Sequence, residues 1–586
     1  MSTGVSGDNR RNVSPRAEQK TPTDAPRRAG LVALMRSVAG SIVTARAARV
    51  AVLASAVALP VGALGCELLL GIEDIELGTP PSGCWDANGN GGRGCYRAGD
   101  PGCSIEHEDP AEMHHRIINA CSPASCIPFT TELTKLGGST NLPPLPAGGG
   151  SGGMGGSGGM GGGMGGGGMD GSGGMGGSGG MGGGEGGSGG EGGSGGEGGS
   201  GGGAPIEKCS EIIDPALPRI YMAGSNAVVQ LLEKAAPILS GPEAEEPVVL
   251  IYQRLSSCEG FEKIAYNKTI TGTASYFVDS GERSCELDPS GNFVDIGTCD
   301  VFAGTCTTSV LGNDFADYGS GPIQAMTLVA PLKSEQKVMS REAAYLIYGF
   351  GADSELAPFT DEARILQRDN KSGTKRMIAP AIDVPYDLWK GKVLSSTSMM
   401  KADLKAANDE GGSAANATIG ILDVTNDDND EKTYLKILAF QGERQTCGFW
   451  PDSEPDKEDK KNVRDGHYVI WGPLHFFVKA SNKNPINPRA TDAVNYLTGF
   501  RPLPNEKFAF TMVGLQAEGS LIPRCAMRVD RTTELGELKP YTTDFPCGCF
   551  FENVVTGEAP GCKPCSSDAE CDTSTEVCSF DFCERR

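Results

Sequence analysis

A glycine-rich segment in the first half of this 586-residue chain most constrains its fold, because such a sequence cannot bury a core. Of the 85 glycines, 39 lie within residues 148–203, among repeats of Gly-Gly-Ser-Gly-Gly-Met and Gly-Gly-Ser-Gly-Gly-Glu. A chain of this composition behaves as a flexible coil with an r.m.s. span of roughly 40 Å. Residues 148–204 are therefore predicted to link an N-terminal part to a C-terminal part that is large enough for a sizeable core.

Residues 50–64 form an apolar, uncharged run of 15 residues that follows several arginines. A membrane-spanning helix needs roughly 18 residues or more, so this run predicts a signal peptide or leader over residues 1–65. The run ends in Ala63-Leu64-Gly65-Cys66, which resembles the lipobox of bacterial lipoproteins. The resemblance implies lipidation of Cys66 and an exported, membrane-anchored protein, with the outer membrane, facing the periplasm or cell surface, as the expected location. The alternative is ordinary cleavage, with Cys66 in a disulfide.

The charge and the cysteines narrow the choice of partners and compartment. A net charge of −23 disfavours nucleic acid and anionic lipid headgroups as partners. The 20 cysteines indicate an oxidising compartment, so most of those after Cys66 are predicted to form disulfides. Cys299 is a candidate for a leftover free thiol, although pairing with Cys258 is an equal alternative.

Cysteine-rich segments are predicted at both ends of the exported chain, over residues 66–147 and 552–586. In the second segment, the CxxC pair of Cys562 and Cys565 could begin a zinc site. The later cysteines do not repeat that spacing and no histidine follows them, so disulfides are the favoured interpretation.

Three of the five histidines, His107, His114 and His115, lie among acidic residues of the N-terminal segment. The spacing of His107 and His114 would place both on one face of a helix as metal ligands, but Pro110 interrupts that helix. A solvated polar turn is therefore predicted here, and no metal site.

From residue 205 to about residue 551, apolar strands alternate with helices, which favours an α/β architecture with mostly parallel sheets. Such sheets bind ligands at the carboxyl ends of their strands, where helix N-termini present free N–H groups. Candidate strands are 247–253, 293–296, 323–329, 364–368, 418–424 and 435–440, and candidate helices are 225–239 and 340–349.

Polar residues that end these strands or begin these helices form the candidate site. An arginine gives paired N–H bonds to an oxyanion, hydroxyls donate further bonds, and helix N-termini add partial positive charge. Asp300 would add a carboxylate to this set of donors. The predicted ligand-binding residues are Ser225, Asn226, Ser257, Asp300, Arg368, Ser372, Gly373 and Thr374.

In order and spacing, these segments resemble the phosphate-binding proteins of bacterial phosphate ABC transporters, which have the type II periplasmic-binding-protein fold. That family reads Gly-Ser-Thr, Tyr-Gln-x-x-Gly-Ser-Gly-x-Gly, Ser-Asp and Arg-x-x-x-Ser-Gly-Thr along its four loops. The corresponding residues here are Gly224-Ser225-Asn226, then Tyr252, Gln253, Ser257 and Gly260, then Cys299-Asp300, then Arg368 with Ser372-Gly373-Thr374. Asn226 and Cys299 depart from the family pattern. The resemblance implies a phosphate ligand, and a carboxylate at Asp300 would then accept the remaining proton of hydrogenphosphate and repel sulfate, which has no proton at neutral pH.

The resemblance implies a two-lobed solute-binding domain, with lobe one from residues 205–322 and 475–551 and lobe two from residues 323–474. Crossings near 323–331 and 469–473 would act as hinges. The implied function is binding of phosphate or a related oxyanion for uptake or sensing, with an ABC permease as partner. No catalytic arrangement emerges, so the protein is predicted not to be an enzyme and to need no cofactor. The alternative is a surface-interaction or structural lipoprotein that uses the binding fold as a scaffold.

Overall fold

The structure is a computed structural model that describes residues 108–120, 122, 124–128, 142–146, 206–242, 244, 246–309, 312–319, 321–424, 431–445, 447–499 and 506–586. The predicted signal peptide, Cys66, His107 and the glycine-rich segment lie outside these residues. Within the described ranges, no helix has both the length and the apolar composition needed to cross a bilayer.

Several helices begin where the sequence supplies a capping side chain. The side-chain oxygens of Asp109, Ser340, Ser372, Ser396 and Asn487 each accept a hydrogen bond from an N–H of the first turn that follows. The α-helices are α1 (Pro110–Ile118), α2 (Val229–Ser240), α3 (Ser257–Ala265), α4 (Ala303–Cys306), α5 (Arg341–Phe350), α6 (Gly373–Ala381), α7 (Thr397–Glu410), α8 (Gly412–Ala417), α9 (Lys461–Asp465), α10 (Pro488–Leu497), α11 (Glu506–Glu518) and α12 (Gly548–Thr556).

The strands include a segment for each predicted strand, with shifted ends. The predicted strands 293–296 and 435–440 are each divided in two, and the predicted helix 225–239 begins with a 3-10 turn, Asn226–Val228, before α2. The strands are β1 (Cys126–Pro128), β2 (Arg219–Gly224), β3 (Val249–Arg254), β4 (Thr269–Ile270), β5 (Thr273–Val278), β6 (Gly281–Glu286), β7 (Asn292–Phe293), β8 (Ile296–Cys299), β9 (Phe315–Tyr318), β10 (Ile323–Pro331), β11 (Val338–Ser340), β12 (Leu366–Arg368), β13 (Lys392–Leu394), β14 (Gly420–Asp423), β15 (Leu435–Ile437), β16 (Ala439–Gln441), β17 (Cys447–Phe449), β18 (Trp471–Pro473), β19 (His475–Ser481), β20 (Asn484–Pro485), β21 (Val529–Asp530), β22 (Lys539–Pro540), β23 (Glu576–Ser579) and β24 (Phe582–Arg585).

The largest sheet runs in the order β20-β19-β8-β2-β3-β5-β6, and β9 also pairs with β19. Successive side chains of β3 point to opposite faces, so Val249 and Ile251 join one core cluster and Leu250 and Tyr252 join the other. Helix α3 packs with the first cluster and α2 with the second. The central strands of this sheet, β2, β3 and β8, are therefore buried on both faces, as their continuous apolar sequences require.

The prediction of mostly parallel sheets is wrong, although the mixed α/β architecture is confirmed. Parallel pairs join β2 to β3 and β8, β11 to β16, and β12 to β13. The other strand pairs of the described residues are antiparallel. One reason is local: only residues 279 and 280 separate β5 from β6, and so short a turn joins antiparallel strands alone.

Strand β10 is the centre of a second sheet, in which it pairs with β14, β15 and β18. Gln324 of β10 lies opposite Gly472 of β18, so the two predicted crossings lie side by side as antiparallel strands. Ile323 also exchanges two backbone hydrogen bonds with Ile522, at 2.7 and 2.8 Å. The hinge role of these strands and the lobe boundaries stay predictions.

The described part of the N-terminal cysteine-rich segment packs on the rest of the chain. Strand β1 pairs with β17 in a third sheet, β1-β17-β16-β11, and the Cys126–Cys447 disulfide joins the same two strands. Further along, the Tyr345 hydroxyl donates to the Pro143 carbonyl at 2.6 Å. Residues on the N-terminal side of the glycine-rich segment therefore contribute to the same packed body as those on its C-terminal side.

The predicted polar turn around His114 is wrong, because residues Pro110–Ile118 form α1. Pro110 begins this helix, a position where proline costs no hydrogen bond. The His114 Nδ1 atom accepts a hydrogen bond from the Leu538 N–H at 3.1 Å. Burial, together with the charges of Arg531 and His115, lowers the pKa of His114 to about 4. His114 is therefore a packed, neutral side chain.

The C-terminal cysteines form disulfides, as predicted. Cys562 and Cys565 bond to different partners, so they do not act together as a CxxC metal pair. The disulfides of this end of the chain are Cys525–Cys547, Cys549–Cys562, Cys565–Cys578 and Cys571–Cys583.

Candidate functional site

The site begins where β2 ends at Gly224, a position with φ of +142°. A Cβ atom there would lie 2.0 Å from the Thr298 carbonyl oxygen, so glycine lets β2 and β8 converge. A Cβ at Gly260 of α3 would lie 2.5 Å from the Gly224 Cα, so α3 also packs directly on this turn. Ser225 follows, and its Oγ accepts from the Ala227 N–H at 3.1 Å. Close backbone packing therefore holds the first loop in place.

The second loop leads from β3 into α3 through a capping box. The backbone N–H and the hydroxyl of Ser256 donate to Glu259 Oε2, at 3.3 and 3.0 Å. The next hydroxyl, that of Ser257, points the other way and donates to Asp300 Oδ2 at 2.6 Å. The loops after β3 and β8 are thus joined by a short hydrogen bond to a carboxylate.

Asp300 is the buried acidic group of the site. Its Oδ2 accepts from Ser257, but its Oδ1 is buried with no hydrogen-bond partner among the described residues. Burial raises the pKa of Asp300, the Ser225, Ser257 and Gln324 side chains oppose this increase, and the Asp423 carboxylate adds to it. The orphaned Oδ1 can accept a hydrogen bond from a bound ligand.

Arg368 ends β12 and supplies the cation. Its Nη1 donates to Thr397 Oγ1 at 2.9 Å, and its Nη2 donates to the Ser395 carbonyl at 3.2 Å and lies 3.7 Å from Asp369 Oδ2. Its Nε is buried without a hydrogen-bond partner in the described part of the chain. Burial lowers the pKa of Arg368, and the charges of Asp369, Asp423 and Asp300 oppose the decrease. The guanidinium is therefore oriented by its neighbours and keeps N–H groups for a ligand.

The N-terminus of α6 completes the site. The buried Ser372 caps this helix, and its Oγ accepts from the Lys375 N–H at 3.4 Å. A Cβ atom at Gly373 would lie 2.4 Å from Ser257 Oγ and 2.5 Å from Asp300 Oδ2. The first N–H groups of α6 therefore lie directly beside the Ser257–Asp300 pair, where a helix end carries partial positive charge.

All eight predicted ligand residues line one cleft, which is partly open to solvent. Their contact with a ligand stays a prediction. The cleft is lined by Ser225, Asn226, Ala227, Leu255, Ser256, Ser257, Asp300, Arg368, Ser372, Gly373, Thr374, Thr397 and Asp423.

Sequence reasoning missed Thr397 and Asp423. Asp423 ends β14, and its place at the carboxyl end of the predicted strand 418–424 was a usable signal. Thr397 begins α7 and receives the Arg368 bond, but its sequence context differs little from that of an ordinary capped helix start. Pairing a polar residue with Arg368 across 29 positions requires the tertiary structure.

Cys299, a departure from the family pattern, is a free thiol and lies beside the site rather than in it. Cys258 bonds instead to Cys306, and the Cys299 sulfur lies 3.6 Å from the Cys306 sulfur. Burial raises the pKa of Cys299 well above its usual value, and the Asp300 charge adds to the increase. The thiol is therefore uncharged and packed against a disulfide. The alternative pairing of Cys299 with Cys258 is wrong.

The sequence matches no protein-family model, and comparison with curated proteins finds no match. Among solved structures, an ABC-type phosphate transport receptor from Vibrio cholerae is similar at 14% identity and a TM-score of 0.32, covering 52% of this chain and 99% of the receptor. A putative phosphate ABC transporter substrate-binding protein from Clostridium perfringens, with bound phosphate, is similar at 12% identity and a TM-score of 0.35, with coverage of 52% and 99%.

A regulator is similar as well. The reduced form of the OxyR regulatory domain from Pseudomonas aeruginosa aligns at 9% identity and a TM-score of 0.27, covering 47% of this chain and 95% of that domain. Each of these similarities covers about half of this chain.

Replacing Gly373 by alanine is expected to damage the cleft, because the added Cβ overlaps Ser257 Oγ and Asp300 Oδ2. Overpacking of this kind costs about 1–2 kcal/mol, so the free energy of unfolding should fall by that amount. Urea unfolding measures the change. Gly304→Ala is the matched control, since a Cβ there meets no atom within 4 Å. Equal stability of the two variants would contradict the expectation.

Proposed function

We propose that the cleft binds phosphate or a related oxyanion. Arg368 supplies charge and directed N–H bonds, and the hydroxyls of Ser225, Ser257, Ser372 and Thr374 surround the same space. The N-terminus of α6 adds backbone donors. With a chain net charge of −23, these local donors, and not long-range attraction, must provide the affinity.

The observation that carries the proposal is the buried, half-satisfied carboxylate of Asp300 in a cleft of donors. An anion site gains nothing from a carboxylate unless its ligand brings a proton. Hydrogenphosphate has one, and the free Oδ1 of Asp300 can accept a hydrogen bond from it. Sulfate has none at neutral pH, so Asp300 would repel it.

In the cell, we propose that the protein is an exported lipoprotein, anchored through Cys66, that acts in oxyanion uptake or sensing. An ABC permease is the proposed partner for uptake. The role is one of binding, without catalysis. Export and the anchor are proposed from the sequence signals before residue 108, and the role in uptake or sensing and the permease partner from the resemblance carried by residues 224–374. Fractionation of a Cys66→Ser variant tests the anchor, because this variant should leave the membrane fraction.

Calorimetric titration of the full exported chain with phosphate and with sulfate tests the binding proposal. Phosphate should bind and sulfate should not. Asp300→Asn should weaken phosphate binding about fivefold, because a bond to a charged acceptor is worth about 1 kcal/mol more than one to a neutral acceptor. The same variant should bind sulfate more tightly than the parent protein does, since the charge that repels sulfate is gone.

Asp353→Asn is the control, because it removes the same charge from an exposed 3-10 turn outside the cleft lining. Equal binding of phosphate and sulfate by the parent protein would contradict the selectivity role proposed for Asp300. Binding of neither anion would contradict the proposed function and leave the scaffold alternative.

A further inference from the structure

Asp423 is a second carboxylate in the same cleft. It is the last residue of β14, lies opposite Met326 of β10 and is only partly buried. It lines the cleft together with Asp300 and Arg368. Among the described residues, no hydrogen bond or ion pair engages its side chain, and the ion-pair partner of Arg368 is Asp369 at 3.7 Å. Asp423 is therefore not explained as the counter-ion that holds Arg368.

The charges of the cleft do not suit a bare dianion. Its lining contains one cation, Arg368, and two carboxylates, Asp300 and Asp423. The Asp423 charge acts on both of the others, since it contributes to the raised pKa of Asp300 and counteracts the lowered pKa of Arg368. A ligand that carries only negative charge would be repelled by Asp423 and would leave that carboxylate unpaired. An unpaired charge is costly in a partly buried site.

We propose that the preferred ligand is a phosphonate or phosphate monoester that carries an ammonium arm and binds as its monoanion. Its P–OH group would donate to Asp300, its oxyanion head would lie between Arg368 and the N-terminus of α6, and its ammonium would pair with Asp423. This inference rests on the proposed function and specifies its ligand class. A zwitterion supplies both a group for the donors of the site and a cation for its unpaired carboxylate.

The opening of the cleft agrees with this ligand class. The cleft is partly open to solvent, so a substituent on the oxyanion can extend outwards from it. The solvent-open part of the cleft also admits a short chain, since Asn226 at its rim is exposed.

The test compares two probes that differ only in the amine, 2-aminoethylphosphonate and ethylphosphonate, by calorimetric titration of the full exported chain. The parent protein should bind the aminated probe at least about tenfold more tightly, as expected for a charge-assisted pair in a partly buried site. Asp423→Asn should remove that preference and leave or improve the binding of ethylphosphonate, because one like charge has gone.

Asp403→Asn is the matched control, because it removes a carboxylate that pairs with Lys392 on the exposed side of α7 and lies outside the cleft lining. This variant should keep the preference for the amine. If the parent protein binds phosphate but shows no such preference, or if Asp423→Asn keeps it, the ligand class is wrong and the oxyanion function stands. If no probe and no phosphate bind, the proposed function itself fails.

Discussion

Phosphate binding is expected to fall more than tenfold when Arg368 is replaced by alanine. The guanidinium is the cation of the cleft lining, and Thr397 and Ser395 hold it in position. Loss of a bidentate, charged donor costs about 2–3 kcal/mol of binding free energy. Calorimetric titration with phosphate measures the loss, and urea unfolding of the same variant shows whether the fold is retained.

Two further variants separate charge from geometry. Arg368→Lys keeps the charge but loses the planar fork, so its affinity should fall between those of the parent and the alanine variant. Arg364→Ala removes an arginine of the same segment that is paired with Glu410 at 3.2 Å outside the cleft, and it should bind phosphate as the parent does. An Arg368→Ala protein that stays folded and binds phosphate within twofold of the parent would contradict the site.

The free energy of unfolding should fall by about 2–4 kcal/mol when Cys126 and Cys447 are both replaced by serine. This disulfide joins β1 to β17 across 321 residues, so its loss frees a long loop in the unfolded chain. The entropy that a cross-link removes from the unfolded state grows with the logarithm of loop length. Urea unfolding, read from the midpoint and the slope, measures the change.

A short-loop disulfide provides the control. Cys571–Cys583 spans 12 residues of the C-terminal module, and its replacement by two serines should cost less than the loss of the long link. Neither double variant should change phosphate affinity at temperatures where the protein is folded, since none of the four cysteines lines the cleft. Equal destabilisation by both would contradict the expected dependence of the stabilisation on loop length.

Local signals explain why the candidate residues could be found before the structure. Ser372 is recognisable as a helix cap, and Gly224 as the turn between an apolar strand and a helix start. Such features depend on residues within a few positions of one another. The eight predicted ligand residues consequently lie at strand ends and helix starts around a single cleft.

Other features depend on contacts between distant parts of the chain. The segment around His114 is an example. The sequence predicts that Pro110 interrupts a helix, whereas Pro110 begins α1, and a hydrogen bond from the Leu538 N–H to His114 connects that helix to a distant part of the chain. The antiparallel return of β19 beside β8 likewise joins residues that are far apart in sequence.

The sequence by itself therefore determined the alternation of strands and helices, the helix caps and the polar residues at their ends, because each is encoded within one or two turns of chain. Only the tertiary structure decided strand direction, the choice of Cys306 over Cys299 as the partner of Cys258, and the presence of Asp423 beside Arg368. The physical reason is that any cysteine or carboxylate satisfies the local chain equally well. Its partner is selected by the packing of segments that lie tens to hundreds of residues away.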